Sequence, residues 1–448
     1  MMREIRLNAF DMATPGHIQQ GMWRHPRDQA ARYTDLHYWM DLARLLERGL
    51  FDGLFLADVL GVYDVMGASP AAALAGGVQV PLLDPLPLVP AMAAVTSHLG
   101  FGVTCNLAFE PPYLFARRMS TLDHLTRGRI GWNIVTGYLD SAARALGQDA
   151  QMAHDDRYDM ADEYMSLAYA LWEGSWAEGA VQADRAGAFT DPALVRRIRH
   201  EGRQFRVDAP HLVAPSPQRT PLLYQAGASA RGQRFAGTHA ECVFLNGTRP
   251  DLVAAQVAAL RAAAAPRPIL VFVGATIVVG RTEAEARDLL ADYASHADAE
   301  AMFAHASASM GIDLAKFDLD EPLPTGPGNA IQSNVEAMRR MAGPALTKRS
   351  LMAQSVLGSR QPPIVGDPVQ VADEVARWVT EADVDGFNLS RTVMPECLES
   401  FITLVVPELQ ARGLYKSGYA PGTLREKLFG GAPLLSPPHP AAAARWVA

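Results

Sequence analysis

The stretch GRIGWNIVTGYLDSAARALG, residues 128–147, decides the fold class. It begins as a buried strand, because Ile130, Trp132, Ile134 and Val135 are residues that strands favour. Where a surface loop is expected, a dense row of polar side chains begins instead: Asn133, Thr136, Tyr138, Asp140 and Ser141. An apolar strand that ends in polar groups is typical of a parallel sheet, which is covered on both faces and binds ligands at the carboxyl ends of its strands.

Seven further segments share this apolar strand pattern, and helices fit between them. The predicted strands cover residues 5–10, 53–58, 100–109, 222–227, 241–247, 269–280 and 384–390. The predicted helices cover residues 33–48, 86–98, 113–125, 155–172, 229–239, 251–265, 282–297, 367–381 and 394–412. Eight strand–helix repeats predict an α/β fold, a (β/α)8 TIM barrel with several long insertions. A doubly wound open sheet is the alternative, although no GxGxxG segment follows an early strand.

Three segments interrupt the simple repeat. They cover about residues 61–87, 174–220 and 296–353, and long insertions of this kind usually act as lids or small subdomains. We therefore predict one barrel domain over residues 1–415, with these insertions inside it. The proline-rich tail, residues 416–448, is predicted to wrap over the surface or a neighbour.

Composition and charge exclude several functional classes. The net charge is −8 and no basic run is present, which argues against nucleic-acid binding. No apolar run is long enough to span a membrane, and the N-terminus lacks a signal-peptide layout, so a cytoplasmic enzyme is expected. Cys105, Cys242 and Cys397 are widely spaced and form no CxxC motif, so neither a disulfide framework nor a metal site is predicted.

Polar residues at the predicted strand ends form a candidate site, because α/β barrels carry their active sites there. Their side chains are mostly amides, hydroxyls and aromatics, with histidine as the main titrating group. These residues are Asp11, Thr14, His17, Asp58, Tyr63, Thr104, Asn106, Asn133, Thr136, Tyr138, Gln225, Asn388, Ser390 and Arg391. Neither a GxSxG nor an HExxH motif is present. Such a lining suits a large polar aromatic cofactor that carries the reaction itself.

Two further segments suggest where the charged end of such a cofactor binds. In QAGASARGQRFAG (225–237), small residues at a strand-to-helix turn expose backbone N–H groups to an anion. The alternative is a tight turn in which Ser229 caps the helix. In HDDRYDMADEY (154–164), His154 and Tyr158 share a helix face, either beside a phosphate or flavin or simply in the core.

Several segments resemble the bacterial-luciferase-like flavin monooxygenases, in the branch of nitrilotriacetate, dibenzothiophene-sulfone and long-chain alkane monooxygenases. The resemblance extends from about residue 3 to residue 430, and its specificity for the branch is higher than for a substrate. The segments are LFLADVLGVYDV (54–65), the region from FGVTCNLAFE to GYLDSAARALG (101–147), HDDRYDMADEYMSLAYALWEGSW (154–176), PHLVAPSPQRTPLLYQAGASARG (210–232) and GLYKSGYAPGTLREKLFG (413–430).

The resemblance implies a luciferase-like barrel that binds reduced FMN delivered by a separate NAD(P)H:flavin reductase. It also implies reaction with dioxygen at the flavin, either at carbon 4a or at nitrogen 5, and a homodimer or homotetramer. Positions carried over for the isoalloxazine, the ribityl chain and the phosphate turn are Asp58, Thr104, Asn106, His154, Tyr158, Ala228, Ser229 and Ala230. Asn133 joins this set as part of the rim over the flavin.

The same resemblance supplies candidate catalytic and substrate-pocket residues. Positions matched to the alkane monooxygenase are His17, Tyr63, Gln79 and His305. Tyr138 joins them because some relatives carry histidine there, and Thr14 stands where some carry cysteine. His17 suits a hydrogen-bond donor near neutral pH, while the tyrosines can orient a substrate. The two departures argue against long-chain alkane hydroxylation.

The predicted function is therefore a two-component monooxygenase that cleaves a C–S or C–N bond or hydroxylates a small organic molecule. Because no cationic pocket is evident, a sulfur-containing or weakly charged substrate is favoured. Three alternatives stay open at the level of sequence: a long-chain alkane monooxygenase, a deazaflavin-dependent oxidoreductase and a non-catalytic flavin-binding protein.

Overall fold

A closed barrel of eight parallel strands forms the centre of the computed structural model, which describes residues 4–226, 229–324, 346–358 and 362–447. The strands of the described residues are β1 (Arg6–Met12), β2 (Gly53–Ala57), β3 (Gly100–Asn106), β4 (Ile130–Val135), β5 (Ile198–Glu201), β6 (Arg206–Ala209), β7 (Leu222–Gln225), β8 (Cys242–Leu245), β9 (Leu270–Val279), β10 (Ile364–Gly366) and β11 (Gly386–Ser390).

The sheet closes on itself through two parallel pairings, β1 with β11 and β8 with β9. Around the wall the order is β1, β2, β3, β4, β7, β8, β9 and β11. At the closing seam Asn8 pairs in register with Asn388, and Asn8 Nδ2 donates to Asn388 Oδ1 at 3.0 Å. The predicted (β/α)8 barrel is confirmed, and the open-sheet alternative is wrong. Outside the barrel, β10 pairs in parallel with the last residues of β9. Strands β5 and β6 form an antiparallel hairpin within the second insertion.

Helices cover the outside of the barrel. The first ten in the described residues are α1 (Leu36–Arg48), α2 (Ala71–Gly76), α3 (Leu88–Ala94), α4 (Pro112–Leu125), α5 (Asp140–Ala145), α6 (His154–Gly174), α7 (Ala230–His239), α8 (Pro250–Ala264), α9 (Glu283–Ala294) and α10 (Ala299–Met310). Later helices are Lys348–Gln354, Pro368–Ala382, Glu396–Ser400, Val406–Ala411, Leu424–Phe429 and Pro440–Ala444, with a π-helical turn at Phe401–Val405. Among these described helices, none has both the length and the apolar character of a membrane span.

Side-chain hydrogen bonds explain where the predicted elements end earlier than expected. The helix predicted over 86–98 ends at Ala94, and a short distance further along the chain the Glu47 carboxylate accepts from the backbone N–H groups of residues 97–99. The strand predicted over 100–109 ends at Asn106, whose side-chain oxygen accepts from the Ala108 N–H at 2.9 Å. Such local side-chain bonds offer the backbone an alternative to helix or sheet.

Aromatic rings fill the inside of the barrel, and two glycines in the wall make room for them. A Cβ at Gly131 would lie 2.5 Å from Tyr224 Cε2, and one at Gly102 would lie 2.8 Å from Phe55 Cδ2. Tyr224 stacks on Phe244 with ring centroids 5.3 Å apart. Because the interior is packed in this way, a ligand must bind above it, at one end of the strands.

The C-terminal segment closes the amino end of the barrel. Leu424 and Leu428 belong to the aromatic cluster of the interior, and the Leu424 N–H donates to the Gly128 carbonyl at 2.8 Å. A Cβ at Gly100, the first residue of β3, would lie 2.6 Å from Leu424 Cδ1. This end of the barrel is therefore occupied by the protein itself, which leaves the carboxyl end for a ligand.

Three ion pairs fasten this segment to the barrel, and we call them the tail ion pairs. Lys416 Nζ lies 2.6 Å from Asp52 Oδ1, Arg425 Nε lies 2.6 Å from Glu241 Oε1, and Arg445 Nε lies 2.7 Å from Glu173 Oε2. The carboxylate of each pair is almost fully buried. A buried carboxylate that loses its partner is strongly destabilising, because the remaining charge has no compensation.

The Arg425–Glu241 pair yields a stability prediction. Arg425→Met should lower the free energy of unfolding by about 3–5 kcal/mol, because Glu241 is left buried and unpaired. The double variant Arg425→Met/Glu241→Gln should lose less than the single variant, as measured by denaturant unfolding. Arg349→Met, which breaks an exposed pair with Asp320, is the control and should change little. Equal losses in Arg425→Met and Arg349→Met would contradict this account.

Candidate active site

Thr104 and Asn133 lie side by side at the carboxyl ends of β3 and β4. They pair in register, and Asn133 Nδ2 donates to Thr104 Oγ1 at 2.9 Å. Both side chains are buried, and Asn133 Oδ1 accepts no hydrogen bond from the residues that the structure describes. A buried acceptor without a donor is costly, so its position suits a ligand that brings an N–H group. The imide N–H of an isoalloxazine ring is such a donor, and the predicted flavin therefore fits this pair.

Asp58 lies just beyond the end of β2, among groups that disfavour its charged form. Burial raises the pKa of its carboxyl to about 7, and the nearby negative charge of Asp84 contributes in the same direction. The hydrogen bond that Asp58 accepts from the Val59 backbone acts in the opposite direction. Asp58 therefore titrates near neutral pH, where it can hold or release a proton beside a ligand.

Asn106 belongs to the predicted cofactor set, but its amide is engaged within the protein. Its Oδ1 accepts from the Ala108 N–H, and its Nδ2 lies where a Cβ on Gly137 would be only 2.6 Å away. Gly137 also has a φ of 77°, a conformation that glycine adopts without strain. The Asn106 side chain therefore packs closely against Gly137 in the loop that follows β4.

The predicted phosphate end gathers residues from α6 and from the start of α7. His154 and Tyr158 share a face of α6, with ring centroids 5.2 Å apart. Burial raises the pKa of Tyr158, while a hydrogen bond with Ser229 partly opposes that shift. The guanidinium of Arg231 lies 5.3 Å from the centre of the Tyr158 ring. His154, Tyr158 and the first turn of α7 are thus neighbours, and their role in binding a cofactor stays a prediction.

Ser229 is the N-cap of α7, and its Oγ accepts from the Gly232 N–H at 3.0 Å. The capping interpretation of this turn therefore holds, and the same turn still directs the amino end of a helix toward an anion site. Ala230 is the first residue of α7, whereas Ala228 lies outside the described residues. The predicted role of the turn in phosphate binding stays a prediction.

Four of the predicted catalytic residues form one polar network: Tyr63, Gln79, Tyr138 and His305. Tyr63 Oη donates to Gln79 Oε1 at 2.5 Å and lies 2.8 Å from Tyr138 Oη. Gln79 Nε2 lies 3.2 Å from His305 Nε2, and the Tyr63 and His305 rings meet edge to face at 5.4 Å. Residues from the first insertion, the loop after β4 and helix α10 therefore converge on one point.

The donors and acceptors of this network fix its direction. An amide oxygen only accepts, so the Tyr63 proton points to Gln79, and Tyr138 must donate its own proton to the Tyr63 oxygen. An amide nitrogen only donates, so His305 Nε2 accepts from Gln79.

His17, the fifth predicted catalytic residue, reaches this network through the backbone. Its side chain is buried, and its ring lies edge-on to Phe10 at 4.6 Å. The Gly16 carbonyl accepts from the Gln79 N–H at 2.9 Å, so the loop that carries His17 runs alongside Gln79. Gln79 has a φ of 52°, a strained conformation for a residue with a side chain, and such strain clusters at functional sites.

An apolar wall surrounds the polar network. Tyr63 belongs to the wall cluster itself, and Tyr138 packs against it. Its other buried members include Met66, Val78, Leu139, Ala142, Met302, Phe303, Ala306 and Met310. A wall of this kind excludes water and accepts apolar groups, and the network forms a small polar patch within this wall.

Two residues that the sequence did not single out hold the loop after β4 in place. Gln151 Nε2 donates to the Tyr138 carbonyl at 2.7 Å. The buried Arg157 donates from Nη1 to the Gly137 carbonyl and to Gln151 Oε1. Arg157 stands inside the segment HDDRYDMADEY, one helical turn from His154, which is the signal that could have indicated its inward direction.

One group of potential metal ligands occurs among the described residues, well defined by its hydrogen bonds. It consists of His25, Asp292 and His296. His25 Nε2 and the Arg27 guanidinium both bond to Asp292 Oδ2 at 3.0 Å, and His25 Nδ1 accepts from the Arg27 N–H. His25 and Asp292 are engaged with each other and with Arg27, so we interpret the group as a structural ion-pair cluster.

A model of the family described as "Luciferase-like monooxygenase" matches residues 12–385. The chain belongs to the luciferase-like monooxygenase family. It is 47% identical to the dimethyl-sulfide monooxygenase of Hyphomicrobium sulfonivorans, over 96% of this chain and 91% of the relative. It is also 47% identical to the long-chain alkane monooxygenase of Geobacillus thermodenitrificans (strain NG80-2), over 96% of this chain and 95% of that protein.

Solved structures agree with this assignment. A crystal structure of a long-chain alkane monooxygenase matches with a TM-score of 0.92 and 45% identity, covering 99% of this chain and 100% of the other. A riboflavin lyase with modified FMN and riboflavin matches with a TM-score of 0.93 and 38% identity, over 99% and 100% of the two chains. The predicted family, barrel and flavin-dependent monooxygenase activity are confirmed, while the roles of individual residues stay predictions.

The raised pKa of Asp58 predicts a pH-dependent gain in stability when an amide replaces its carboxyl. The folded protein holds this proton up to about pH 7, whereas an unfolded aspartate loses it near 3.8. The free energy of unfolding therefore falls as pH rises through this window, and the loss is complete above it. Asp58→Asn should raise the melting temperature more at pH 8 than at pH 5, measured by calorimetry.

The exposed Asp149 provides the matched control, because Asp149→Asn removes a carboxylate from the surface of the same protein. Its effect on the melting temperature should be small and should differ little between the two pH values. A gain from Asp58→Asn that is the same at pH 5 and at pH 8 would show that the carboxyl is not titrating in this window.

Proposed function

We propose that the protein is the oxygenase component of a two-component system. It takes reduced FMN from a separate NAD(P)H:flavin reductase and uses dioxygen to oxygenate a small, weakly charged organic molecule. Family membership supports the monooxygenase reaction. The barrel fold supports a site at the carboxyl ends of the strands, where such barrels carry their active sites. The predicted homodimer or homotetramer stays a prediction.

The single observation that carries the proposal is the polar network inside the apolar wall. Tyr63, Gln79, Tyr138 and His305 present a few fixed hydrogen bonds within a surface that is otherwise aliphatic and aromatic. Binding sites for small organic molecules combine an apolar lining with a small number of placed polar groups in this way. The network lies at the same end of the barrel as Thr104 and Asn133.

Residues of the described site account for how the flavin would be held. Thr104 and Asn133 would receive the isoalloxazine edge, and the first turn of α7 with Tyr158 would receive the phosphate. Bound reduced FMN supplies the electrons that activate dioxygen. The protein's own contribution is to orient the ring, to exclude water and to place protons at known atoms.

Three segments together exclude water from the site: the first insertion, the loop after β4 and helix α10 of the third insertion. The first insertion carries Tyr63 and Gln79, and α10 of the third insertion carries His305. The network therefore joins segments that are distant along the chain into one roof over the strand ends. Within this roof, hydrogen bonds join the Tyr63 hydroxyl to the Gln79 amide and to the Tyr138 hydroxyl.

The chemistry of the pocket favours an uncharged substrate, of which a dialkyl sulfide or a related sulfur compound is the best example. In the described part of the wall, Lys348 Nζ lies 4.8 Å from the centre of the Phe303 ring and donates to the Phe317 carbonyl. That ammonium is engaged within the protein, so it does not provide the cationic pocket that an aminopolycarboxylate requires.

A long-chain alkane is the second candidate substrate. It is favoured by the apolar wall and by the 47% identity to a long-chain alkane monooxygenase, which equals the identity to the dimethyl-sulfide monooxygenase. Thr14 and Tyr138 argue against it, because some relatives carry cysteine and histidine there.

A panel assay tests this proposal. Purified protein, a general NADH:flavin reductase, FMN and air are combined with dimethyl sulfide, dimethyl sulfone, hexadecane or nitrilotriacetate, and product and hydrogen peroxide are measured per NADH. We expect product with a sulfur compound and a matching fall in peroxide. Product from hexadecane alone would select the second candidate, and product from nitrilotriacetate alone would overturn the proposed substrate class. Failure with all four probes would also count against it.

Tyr63→Phe tests the polar network directly. The change removes the proton donated to Gln79 and the oxygen that accepts from Tyr138, so each of these side chains loses one hydrogen bond that holds it in place. We expect product formation to fall on the order of 10- to 100-fold, with more hydrogen peroxide released per NADH.

The matched control is Tyr113→Phe, which removes a separate hydrogen bond, the one from Tyr113 Oη to the Pro210 carbonyl at 2.9 Å. This variant should keep the native ratio of product to peroxide. If Tyr63→Phe keeps that ratio as well, the hydrogen bonds of the network do not govern oxygenation.

A further inference from the structure

Arg391 stands directly after β11 and is 4% exposed, which is unusual for an arginine. Its Nε pairs with Asp11 Oδ1 at 3.0 Å. Its Nη2 donates to two successive backbone carbonyls, those of Thr14 at 2.7 Å and Pro15 at 3.1 Å. One side chain therefore links the end of the eighth barrel strand to the loop that follows the first.

The loop that Arg391 holds is the one that carries His17. Residues 13–17 lie outside the regular strand β1, so their carbonyls need donors from elsewhere. Because the guanidinium is planar and its donors keep a fixed geometry, it places both carbonyls together. His17 lies two residues after Pro15, so the position of its ring depends on where these carbonyls are held.

The other side of this loop is held by the first insertion. The Gly16 carbonyl accepts from the Gln79 N–H, and a Cβ on Gly16 would lie 2.1 Å from the Gly77 carbonyl oxygen. The loop is therefore clamped between Arg391 and the strained residue Gln79. A displacement of the loop would move both His17 and the amide that connects Tyr63 to His305.

We propose that Arg391 is a positioning residue, which places His17 and, through Gly16, Gln79 for the oxygenation reaction. This inference rests on the proposed function, because it gives a task to the residues of that site. Asp11 is the partner that allows a guanidinium to be buried here. Burial raises the pKa of Asp11 to about 6 despite the opposing charge of Arg391.

A purely structural role would look similar in a stability measurement, so the test needs a matched buried arginine. Arg129 is also 4% exposed, and it donates to the carbonyls of Ala93, Thr96 and Leu99 at the amino end of the barrel. Arg129→Lys and Arg391→Lys make the same chemical change at opposite ends of one barrel. Lysine keeps the charge but cannot hold three acceptors in the geometry of a guanidinium.

The first readout uses protein without flavin. Histidine side chains are labelled with nitrogen-15, and the His17 signal is identified by its loss in His17→Ala. We expect Arg391→Lys to shift or broaden the His17 signal, because the loop no longer has one position, and Arg129→Lys to leave it unchanged. An unchanged His17 signal in a folded Arg391→Lys protein would overturn the inference.

The second readout is a single turnover. Protein with one equivalent of reduced FMN is mixed with dioxygen, and the return of oxidised flavin absorbance is followed together with hydrogen peroxide. Arg391→Lys should speed this return on the order of 10- to 100-fold, whereas Arg129→Lys should keep the native rate. Native protein that returns oxidised FMN as fast as free reduced FMN does would refute the proposed function itself, whatever the Arg391 variant shows.

A double-mutant cycle shows whether Arg391 acts through His17. If it does, Arg391→Lys/His17→Ala should release peroxide no faster than His17→Ala alone. Additive effects of the two changes would mean that Arg391 acts by another route and would overturn the inference. Should Arg391→Lys fail to fold, Asp11→Asn removes the carboxylate and leaves the two carbonyl bonds, so a smaller shift of the same His17 signal is expected, and no shift would count against the inference.

Discussion

The packing of Tyr224 and its neighbouring rings against glycine backbone inside the barrel is the constraint on which the rest of the structure depends. Gly102 and Gly131 make room for these rings, and the filled interior leaves no space for a ligand inside the barrel. The C-terminal segment then covers the amino end. A ligand can therefore contact polar groups only at the carboxyl ends of the strands, and that is where Thr104 and Asn133 lie.

Much of this architecture could be predicted from the sequence because it rests on local patterns. Apolar runs without alternation indicated strands buried on both faces, and the polar residues behind them indicated the functional end. Element ends were less accurate, since single side chains such as Glu47 and Asn106 end a helix and a strand by hydrogen bonds that no periodicity reveals. The hairpin Ile198–Ala209 and helix α10 lie inside segments that showed only irregular composition.

The candidate site was harder to predict, because its order is tertiary. Gln79 and His305 are 226 positions apart and meet only after two insertions fold over the barrel. The buried Arg157 was not identified, since a charged residue in a sequence is ordinarily assigned to the surface. Arg391 was among the predicted strand-end residues, but its bonds to the loop that carries His17 were not predicted. In the structure, Arg157 and Arg391 donate to the carbonyls of two irregular loops, and those loops carry Tyr138 and His17. In both loops a guanidinium group thus supplies the hydrogen-bond donors that a neighbouring strand supplies within a sheet.

The seam between β1 and β11 has a consequence for how the protein is made. Asn8 and Asn388 bond across it, although 380 positions separate them. While a ribosome is still producing the later segments, β1 and its neighbours have an unpaired sheet edge, which is the feature that promotes aggregation. The partners of Asp52 and Glu241 are synthesised later still. The first strands of a nascent chain therefore expose this edge until β11 has been synthesised.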